Sequence, residues 1–440
     1  MTCTCAIKLT ACIVTHFLPY IFQPINMMMK LNPPLSNPLK SFTAICLLGA
    51  GSLHAATVTW DAGTNSTWDT TTANWTGSAY TNGDDAQFLG AGAGTVTLTG
   101  VIDPGSVLVS SANDYTFSGA AITGTGALTK TGSGTLTLTA NHSYTGGTIV
   151  NGGTLILDGG DQTLKQFSTL TVDGSSSLVQ LGTNVGGNNI INNMVVNIKN
   201  GATVDDTTTT GYVQSMGNTT FTNGGTLSST GAGYNPTYGN YFFNGNIAVN
   251  GNAAATISAD AITINGARTI TVDNVTGNAD TDLTISSIIK DWTNPTQVIK
   301  NGAGTMTLSG NNTYTGGTTV NEGTLSMNSV NALGTGMITV NHATLHNGAS
   351  GPSAISNNLT TTGWFYWGAG SQDLSIDGDW TNNSNILWVN SGGTLTFNGL
   401  VSGLSPIYGG GGTIAVTNSN NNFTGAPEVT HSSTLQFTTI

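Results

Sequence analysis

Charged residues are scarce in this chain of 440 residues, in which only 7% of positions are Asp, Glu, Lys or Arg. Glu occurs twice, Lys eight times and Arg once, so the residues that usually cover the exposed face of a helix are nearly missing. The formal net charge is −12 at pH 7. Because so few cations cannot neutralise a phosphate backbone, the composition argues against a nucleic-acid partner.

Cysteine is equally rare, and all four cysteines lie near the amino terminus, at Cys3, Cys5, Cys12 and Cys46. Residues 57–440 therefore contain none, which excludes disulfide and thiolate chemistry from that part of the chain. A long exported chain without cysteine has to be stabilised by backbone hydrogen bonds and packing. We expect such a chain in a bacterial envelope.

The first segment, residues 1–56, has three lysines and no Asp or Glu. Lys40 precedes the short apolar run Ser41–Leu53, which is followed by small residues, and this order is typical of a cleaved secretory signal peptide. The apolar run is too short to span a bilayer; a buried strand or helix is the alternative. Initiation at Met28 or Met29 would give a leader of conventional length. We therefore predict a leader over 1–56 and a mature domain over 57–440.

Small and polar residues take the place of the missing charge, since Thr, Gly and Asn together occupy 182 of the 440 positions. These three types are poor helix formers because of β-branching, backbone entropy and competing side-chain hydrogen bonds. Disorder is not expected either, because 38% of the residues are hydrophobic and fall in alternating runs. The composition predicts an all-β protein with many turns.

Two segments, 128–157 and 298–327, align without a gap and are identical at more than half of their positions. Within each copy a Gly-Thr-Leu or Gly-Thr-Met stretch recurs, at Gly134 and Gly153 in the first copy and at Gly304 and Gly323 in the second. A period of about 20 residues is the length of one coil in a solenoid. We predict a right-handed parallel β-helix over 57–440, with roughly 19 coils if it is uninterrupted. A β-sandwich with short strands is the alternative, but it does not explain the recurrence.

The repeated unit closely resembles the autotransporter-associated β-strand repeat, also called the passenger-associated transport repeat. That repeat has a Lys-x-Gly-x-Gly-Thr-Leu stretch followed by Asn, Tyr-Thr-Gly-Gly-Thr and Gly-Thr-Leu, which stand here from Lys130 to Leu155 and again from Lys300 to Leu325. The Trp-Asp motifs near Trp60 also look like the start of large surface proteins that carry the repeat.

The resemblance implies an exported bacterial passenger, secreted or on the cell surface, in which the repeat helps movement across the outer membrane. Its implied partners are an outer-membrane secretion barrel or surface glycans. An autotransporter should end in such a barrel, whereas this sequence keeps its Thr- and Asn-rich composition to Ile440. A fragment, a soluble relative and a passenger anchored by a separate chain all remain open.

Residues that could carry chemistry are few. His342 and His346 have the spacing of a helical zinc pair, but the sequence around them alternates like a strand, in which they would lie about 13 Å apart. Paired aspartates could bind calcium or act as acid and base, although solvated turns explain them better; they lie at Asp84–Asp85, Asp205–Asp206, Asp280–Asp282 and Asp377–Asp379. We predict no catalytic residue, no metal site and no cofactor.

Two further motifs bear on function. The aromatic stretch Trp364–Trp367, the Asp-Trp-Thr-Asn sequences at Asp291 and Asp379, and Trp388 could stack on sugar rings, although capping or core filling explains them better. Gly409–Gly412 lacks the Lys-Ser/Thr of a phosphate loop, so no nucleotide site is expected. We predict a structural or adhesive surface passenger, and the alternative is a secreted β-helix that binds or cleaves polysaccharide.

Overall fold

The computed structural model describes residues 56–182, 190–208, 213–231, 235–351, 353–384 and 386–437. These residues form 43 β-strands and no helix, which confirms the all-β prediction. The predicted leader with its signal peptide lies outside the described residues except for Ala56. No helix of the described part of the chain has the length and apolar character needed to cross a membrane.

Strands in this protein are short because Gly, Asn or Asp interrupts the alternating sequence every few residues. The first sheet contains β1 Thr57–Trp60, β3 Trp75–Thr76, β4 Asp85–Phe88, β6 Ser106–Ser110, β8 Ala127–Thr131, β10 Thr148–Val150, β12 Thr169–Asp173, β14 Asn192–Lys199, β16 Gln214–Thr222, β18 Tyr241–Phe243, β19 Ile247–Asn250, β21 Ala261–Ile264, β22 Ala267–Val272, β24 Ile288–Lys290, β25 Gln297–Asn301, β27 Thr318–Val320, β29 Ile338–Val340, β32 Leu359–Thr361, β35 Trp380–Asn382, β38 Val401–Leu404 and β41 Asn422–Thr424.

The second sheet stacks seventeen strands in a ladder that begins at β2 and ends at β42. Its members are β2 Thr67–Trp68, β5 Gly94–Leu98, β7 Tyr115–Gly119, β9 Thr135–Leu138, β11 Gly153–Leu157, β13 Ser177–Leu181, β15 Thr203–Asp206, β17 Gly225–Ser229, β20 Ala255–Ser258, β23 Thr281–Ile285, β26 Thr305–Leu308, β28 Thr324–Met327, β30 Ala343–Asn347, β33 Phe365–Trp367, β36 Ile386–Val389, β39 Ile407–Gly409 and β42 Glu428–Val429.

A third face closes each coil between the second sheet and the next strand of the first. In the carboxyl-terminal part it forms a sheet of its own, made of β31 Ala354–Ile355, β34 Leu374–Ile376, β37 Thr394–Phe397, β40 Thr413–Val416 and β43 Thr434–Phe437. Further up the chain β18, β21 and β24 occupy it and join the first sheet through the long strand β16. The cross-section is therefore three-sided.

The strand pairing is that of a parallel solenoid, because every pair of the described strands except β1–β3 is parallel. Leu136 stacks directly on Leu155, and Met306 on Leu325, so the interval between successive Gly-Thr-Leu stretches is one coil. This ladder excludes the β-sandwich. The right-handed sense stays a prediction, in line with the strong preference of parallel crossover connections.

The number of coils is smaller than the repeat length suggests, since seventeen stacked strands correspond to sixteen steps. Coils in the middle of the chain are longer than those of the repeats. Gly225 stacks on Ala255, and Thr256 stacks on Thr284, whereas Leu136 needs a much shorter stretch of chain to reach Leu155. The extra residues form the strands of the third face in this region, which a count based on the repeat alone does not anticipate.

The core is a narrow column of apolar side chains that point inward from all three faces, and the members of the first repeat, Leu136, Leu138, Val150, Leu155 and Leu157, are fully buried. At the corners asparagine side chains stack on their like, as in the bond of 2.8 Å from Asn321 Nδ2 to Asn301 Oδ1. Like residues at equivalent positions are therefore brought into contact by the coil period.

Candidate functional site

The two repeats place a lysine inside the wall of the solenoid, with no part of Lys130 or Lys300 exposed to solvent. Nζ of Lys130 donates to three backbone oxygens, those of Thr131 at 2.8 Å, Gly132 at 2.8 Å and Gly152 at 3.1 Å. Three oxygens match the three N–H donors of an ammonium group. Since Gly152 belongs to the following coil, the lysine ties two consecutive coils together.

The second copy of the repeat has the same arrangement. Nζ of Lys300 donates to the backbone oxygens of Asn301 at 3.2 Å, Gly302 at 2.7 Å and Glu322 at 3.0 Å. Burial lowers the pKa of both lysines to about 8, while nearby carboxylates such as Asp114 act to raise it. An amine enclosed in this way cannot reach a substrate outside the solenoid, so its role is structural.

The Tyr-Thr-Gly-Gly-Thr turn is also the same in both copies. The hydroxyl of Tyr144 lies 2.7 Å from Thr148 Oγ1, and that of Tyr314 lies 2.6 Å from Thr318 Oγ1. Burial raises the pKa of both tyrosines. Each turn is thereby fixed from inside by a neutral hydroxyl pair.

The two copies differ at several positions, and one of them is His142, which corresponds to Asn312. His142 accepts a hydrogen bond of 2.9 Å from Ile122 N through Nδ1, while its buried Nε2 finds no partner among the described residues. The corresponding Asn312 accepts from Ile289 N at 2.8 Å and also donates to Ala332 O at 2.6 Å. Both side chains receive a backbone N–H of the preceding coil, but only in Asn312 does the second polar atom also have a partner among these residues.

The paired aspartates do not converge on a common point. Asp84 accepts from the backbone N–H of Thr81 at 2.8 Å, Asp282 from that of Thr305 at 2.7 Å, and Asp379 from that of Leu400 at 2.9 Å. Each carboxylate thus supports a turn or a neighbouring coil. No group of three or more metal-ligating side chains occurs among the described residues.

Asp205 and Asp206 are buried at the point where the long coils begin. Asp205 accepts from Ser228 Oγ at 2.7 Å, and Asp206 accepts from Thr208 Oγ1 at 2.8 Å. Burial raises the pKa of Asp206 to about 6, against the effect of hydrogen bonds from Thr208 and Asn240. The pair stabilises a corner and is closed to solvent.

The two histidines lie in different local structures. His346 lies in β30, where its Nδ1 is 3.2 Å from Ser371 Oγ. His342 precedes that strand with a left-handed φ of 53°, and its ring lies 5.6 Å from that of Trp364. The prediction of a strand holds for His346, and His342 belongs to the preceding turn.

The aromatic candidates separate into two groups. Trp367 and Trp380 are buried in the core, and Trp380 stacks on Phe397 at 4.4 Å. Trp364 and Trp292 are exposed, by 48% and 37%, and Tyr366 and Trp388 are half-buried on the outer face of the second sheet. Core filling therefore explains only part of this set.

Trp292 lies on a different face from the other exposed aromatics. Its ring is 4.7 Å from that of Phe242 and 5.8 Å from that of Tyr238, beside a cleft of about 360 Å3 on the third face. The sequence marks Trp292 as a candidate for sugar stacking but favours capping or core filling, whereas its side chain is exposed. Its neighbour Phe242 is distant in the chain and is found only through the stacking of the coils.

A second cleft, of about 430 Å3, lies on the outer face of the second sheet. Its floor belongs to a row of side chains that stack in register on successive strands, which we call the outer lane: Thr281, Thr305, Thr324, Thr344, Tyr366 and Trp388. In the sequence each threonine of the outer lane is one of 75. The recurrence of Gly-Thr-Met and Gly-Thr-Leu gives a signal for Thr305 and Thr324, but not for Thr281 or Thr344.

Fold and repeat geometry together define the class of this protein as a parallel β-solenoid with buried lysine ties. Residues 128–157 and 298–327 both match the family model of the passenger-associated-transport-repeat, which confirms the resemblance seen in the sequence. Comparison with curated proteins and with solved structures gave no match.

Proposed function

We propose that this protein is an exported bacterial passenger, secreted or held at the outer membrane, with a structural and adhesive role. The observation that carries the proposal is the pair of transport repeats, matched by the family model and built with the same lysine tie in both copies. The partners we propose are an outer-membrane secretion barrel and surface glycans, without a nucleotide or nucleic-acid ligand.

The solenoid suits export because each coil contacts mainly its two neighbours, so the stability of a coil depends only on the coils beside it. A chain that emerges through a narrow pore can add one coil at a time to those already folded. The lysine tie joins a coil to the next one, since Lys130 reaches the carbonyl of Gly152 and Lys300 that of Glu322. In the absence of cysteine from 57–440, this stepwise folding needs no oxidation.

We also propose that the protein is not an enzyme. The repeat lysines are enclosed, and the aspartates support separate turns. The rival function is that of a secreted polysaccharide-binding or polysaccharide-cleaving solenoid, which is favoured by the cleft that Asp280 and His346 line. Release of reducing ends from a polysaccharide incubated with the purified chain would favour cleavage over our proposal.

Export is tested with an epitope-tagged chromosomal copy in the source bacterium, by adding protease to intact cells and by fractionation. We expect the tagged chain in the medium or in a protease-sensitive surface fraction, and retention inside the cell would overturn the proposal.

Replacement of Lys130 and Lys300 by Met should lower the exported fraction severalfold. Lys165→Met is the matched control, because Lys165 is an exposed lysine outside the repeats.

A further inference from the structure

The outer lane presents one continuous surface along the solenoid axis. Its first four members are threonines on β23, β26, β28 and β30, and its last two are Tyr366 and Trp388 on β33 and β36. Six residues on neighbouring strands span about 24 Å at ~4.8 Å per step. A row of hydroxyl groups thus leads directly to two aromatic rings.

A second row of polar side chains lies beside the threonines. Thr307, Ser326 and His346 follow one another in register on β26, β28 and β30, two positions further along each strand. Ser326 and His346 line the cleft together with four threonines of the outer lane, and Asp280 lies at its edge. The cleft contains hydroxyl groups, an imidazole and a carboxylate, and none of its lining residues is Lys or Arg.

At the aromatic end of the outer lane, two glycines leave room for the indole of Trp388. Trp388 pairs in register with Gly409, and a Cβ atom at Gly409 or at Gly410 would come within 2.7 Å of the indole. The absence of side chains at these two positions lets the indole lie against the backbone, where it stays half-exposed. The ring of His431 lies 4.7 Å from it. The glycine-rich stretch found in the sequence therefore seats an aromatic ring.

We infer that the outer lane binds a neutral linear polysaccharide, which runs along the solenoid axis with its sugar rings against Tyr366 and Trp388. Threonine hydroxyls both donate and accept hydrogen bonds, as sugar hydroxyls do, and the apolar faces of sugar rings suit aromatic planes. This ligand deepens the adhesive part of the proposed function and rests on it.

Other polymers fit this surface less well. An extended peptide binds a sheet by pairing with an exposed edge, but β23, β26, β28, β30 and β33 are each paired on both sides. An anionic polymer would meet a protein of net charge −12 and a cleft without cationic Lys or Arg, and would be repelled. A neutral glycan requires neither a free edge nor a positive charge.

The test is electrophoresis of the purified full chain in native gels that contain hydroxyethylcellulose, laminarin, galactomannan or dextran, with anionic alginate for comparison. We expect at least one neutral polymer to retard the chain. Tyr366→Ala and Trp388→Ala should each raise the Kd about tenfold, which corresponds to ~1.4 kcal/mol. Thr344→Val, which keeps the shape and removes the hydroxyl, should raise it about threefold. Trp292→Ala should leave binding unchanged, because this exposed aromatic lies on another face.

The inference is overturned if no neutral polymer retards the chain, if alginate alone does, or if the lane variants bind like the wild type. Loss of binding in Trp292→Ala alone would assign the ligand to the third face instead. Circular dichroism checks that each variant is folded. If Trp388→Ala does not fold, the binding of Thr344→Val is the deciding measurement. Export of the same variants is measured separately: an exported chain that binds no glycan overturns only this inference, and a binding chain retained in the cell overturns only the proposed export.

Discussion

His142 and Asn312 occupy equivalent positions in the two copies of the repeat, but His142 leaves one of its polar atoms without a hydrogen bond to any described residue. Each accepts a backbone N–H of the preceding coil, at 2.9 Å and 2.8 Å. Burial lowers the pKa of His142 to about 4, so this imidazole is neutral in the folded protein under most conditions. A buried histidine with one free nitrogen is a source of acid sensitivity that asparagine does not have.

We expect His142→Asn to make the protein more resistant to acid. Between pH 6.5 and about 4 the unfolded chain binds a proton that the folded chain excludes, so wild-type stability falls as the pH falls through this window. Between pH 7 and pH 4.5 the loss should be about 2 kcal/mol. Urea unfolding at pH 7 and pH 4.5 measures it, as the difference between wild type and variant.

Asp206 serves as the control for that experiment because it acts in the opposite direction. Its folded pKa is raised to about 6, so its contribution to stability is present at low pH and is lost as the pH rises from about 4 to 6. Asp206→Asn should therefore make the acid loss larger than in wild type. If the free energy of unfolding changed with pH in the same way in wild type and His142→Asn, His142 would not be the source of the acid sensitivity.

The repeat lysine gives a second prediction for single residues. Lys300→Met keeps an unbranched side chain but leaves three backbone oxygens of two coils without their donor. An unsatisfied buried polar group costs about 1–3 kcal/mol, so we expect a loss of about 3 kcal/mol in the free energy of unfolding, and the same for Lys130→Met. Calorimetry and urea titration measure it; equal stability of Lys300→Met and the exposed control Lys165→Met would show that the tie is unimportant.

Among structural elements, the corner between two strands of a coil depends on glycine at one repeated position. Gly153 and Gly323 have φ angles of 67° and 66°. A Cβ atom at Gly323 would lie 2.5 Å from Gly302 O and 2.6 Å from Gly304 O, and Gly153 meets the same kind of contact with the preceding coil. The stacking distance between coils therefore requires glycine here, in addition to the backbone conformation.

We expect Gly323→Ala to destabilise the protein far more than Gly277→Ala. Gly277 has a φ of 73° but nothing within 4 Å of its Cβ position, so alanine there meets only the cost of left-handed backbone, about 1–2 kcal/mol. Gly323→Ala adds the clash with two carbonyls, at least about 2 kcal/mol more. The shift of the thermal midpoint measures both variants, and equal shifts would indicate that the coils separate without cost.

The coils of the described residues stack into one column, and an aromatic cluster lies at the first of them. Trp60, Trp68, Trp75 and Tyr80 lie together below the first coils, and Asn74 holds the loop between them through bonds such as that of 2.7 Å to Thr67 O. The only antiparallel pair among the described strands, β1–β3, is found here. This aromatic cluster covers the end of the apolar column, as capping elements do in other repeat proteins.

Trp68 lies at the centre of this cap, with ring centroids 5.2–5.7 Å from those of Trp75, Tyr80, Phe88 and Phe117. Trp68→Ala should cost about 3–5 kcal/mol and should open the first coils before the rest, because stability in a solenoid is local. Hydrogen exchange should then rise first around β4 and β5. Trp364→Ala, at a tryptophan that is 48% exposed, should change neither quantity.

Periodicity made much of this architecture predictable. The recurrence of Gly-Thr-Leu at Gly134 and Gly153 predicts that Leu136 lies under Leu155, and this is the observed register. The alternating sequence of Thr169–Asp173 likewise indicates a strand, and these residues form β12. Ala261–Ile264 does form β21, but all four of its residues are buried, because Thr263 is covered by the segment at Tyr238, to whose carbonyl it donates at 2.8 Å. Local alternation does not reveal such a covering segment.

The candidate site was less predictable, for a physical reason. Trp388 was identified as a sugar-stacking candidate from its residue type, but its position on glycine and its place at the end of a threonine row depend on which residues of other coils stack beside it. Thr281 and Trp388 are separated by five coils of the second sheet. Coil lengths between them vary, so no fixed period places them in one lane.

The fold class and the repeat follow from the sequence alone, because both depend on short-range order. Alternation buries one face of each strand, glycine turns the corners, and a fixed interval sets the length of a coil. Which polar residues are enclosed and which line a surface follows only from the folded structure. That distinction depends on the register between coils of unequal length, and on the packing of segments such as Trp292 against residues that are far away in the chain.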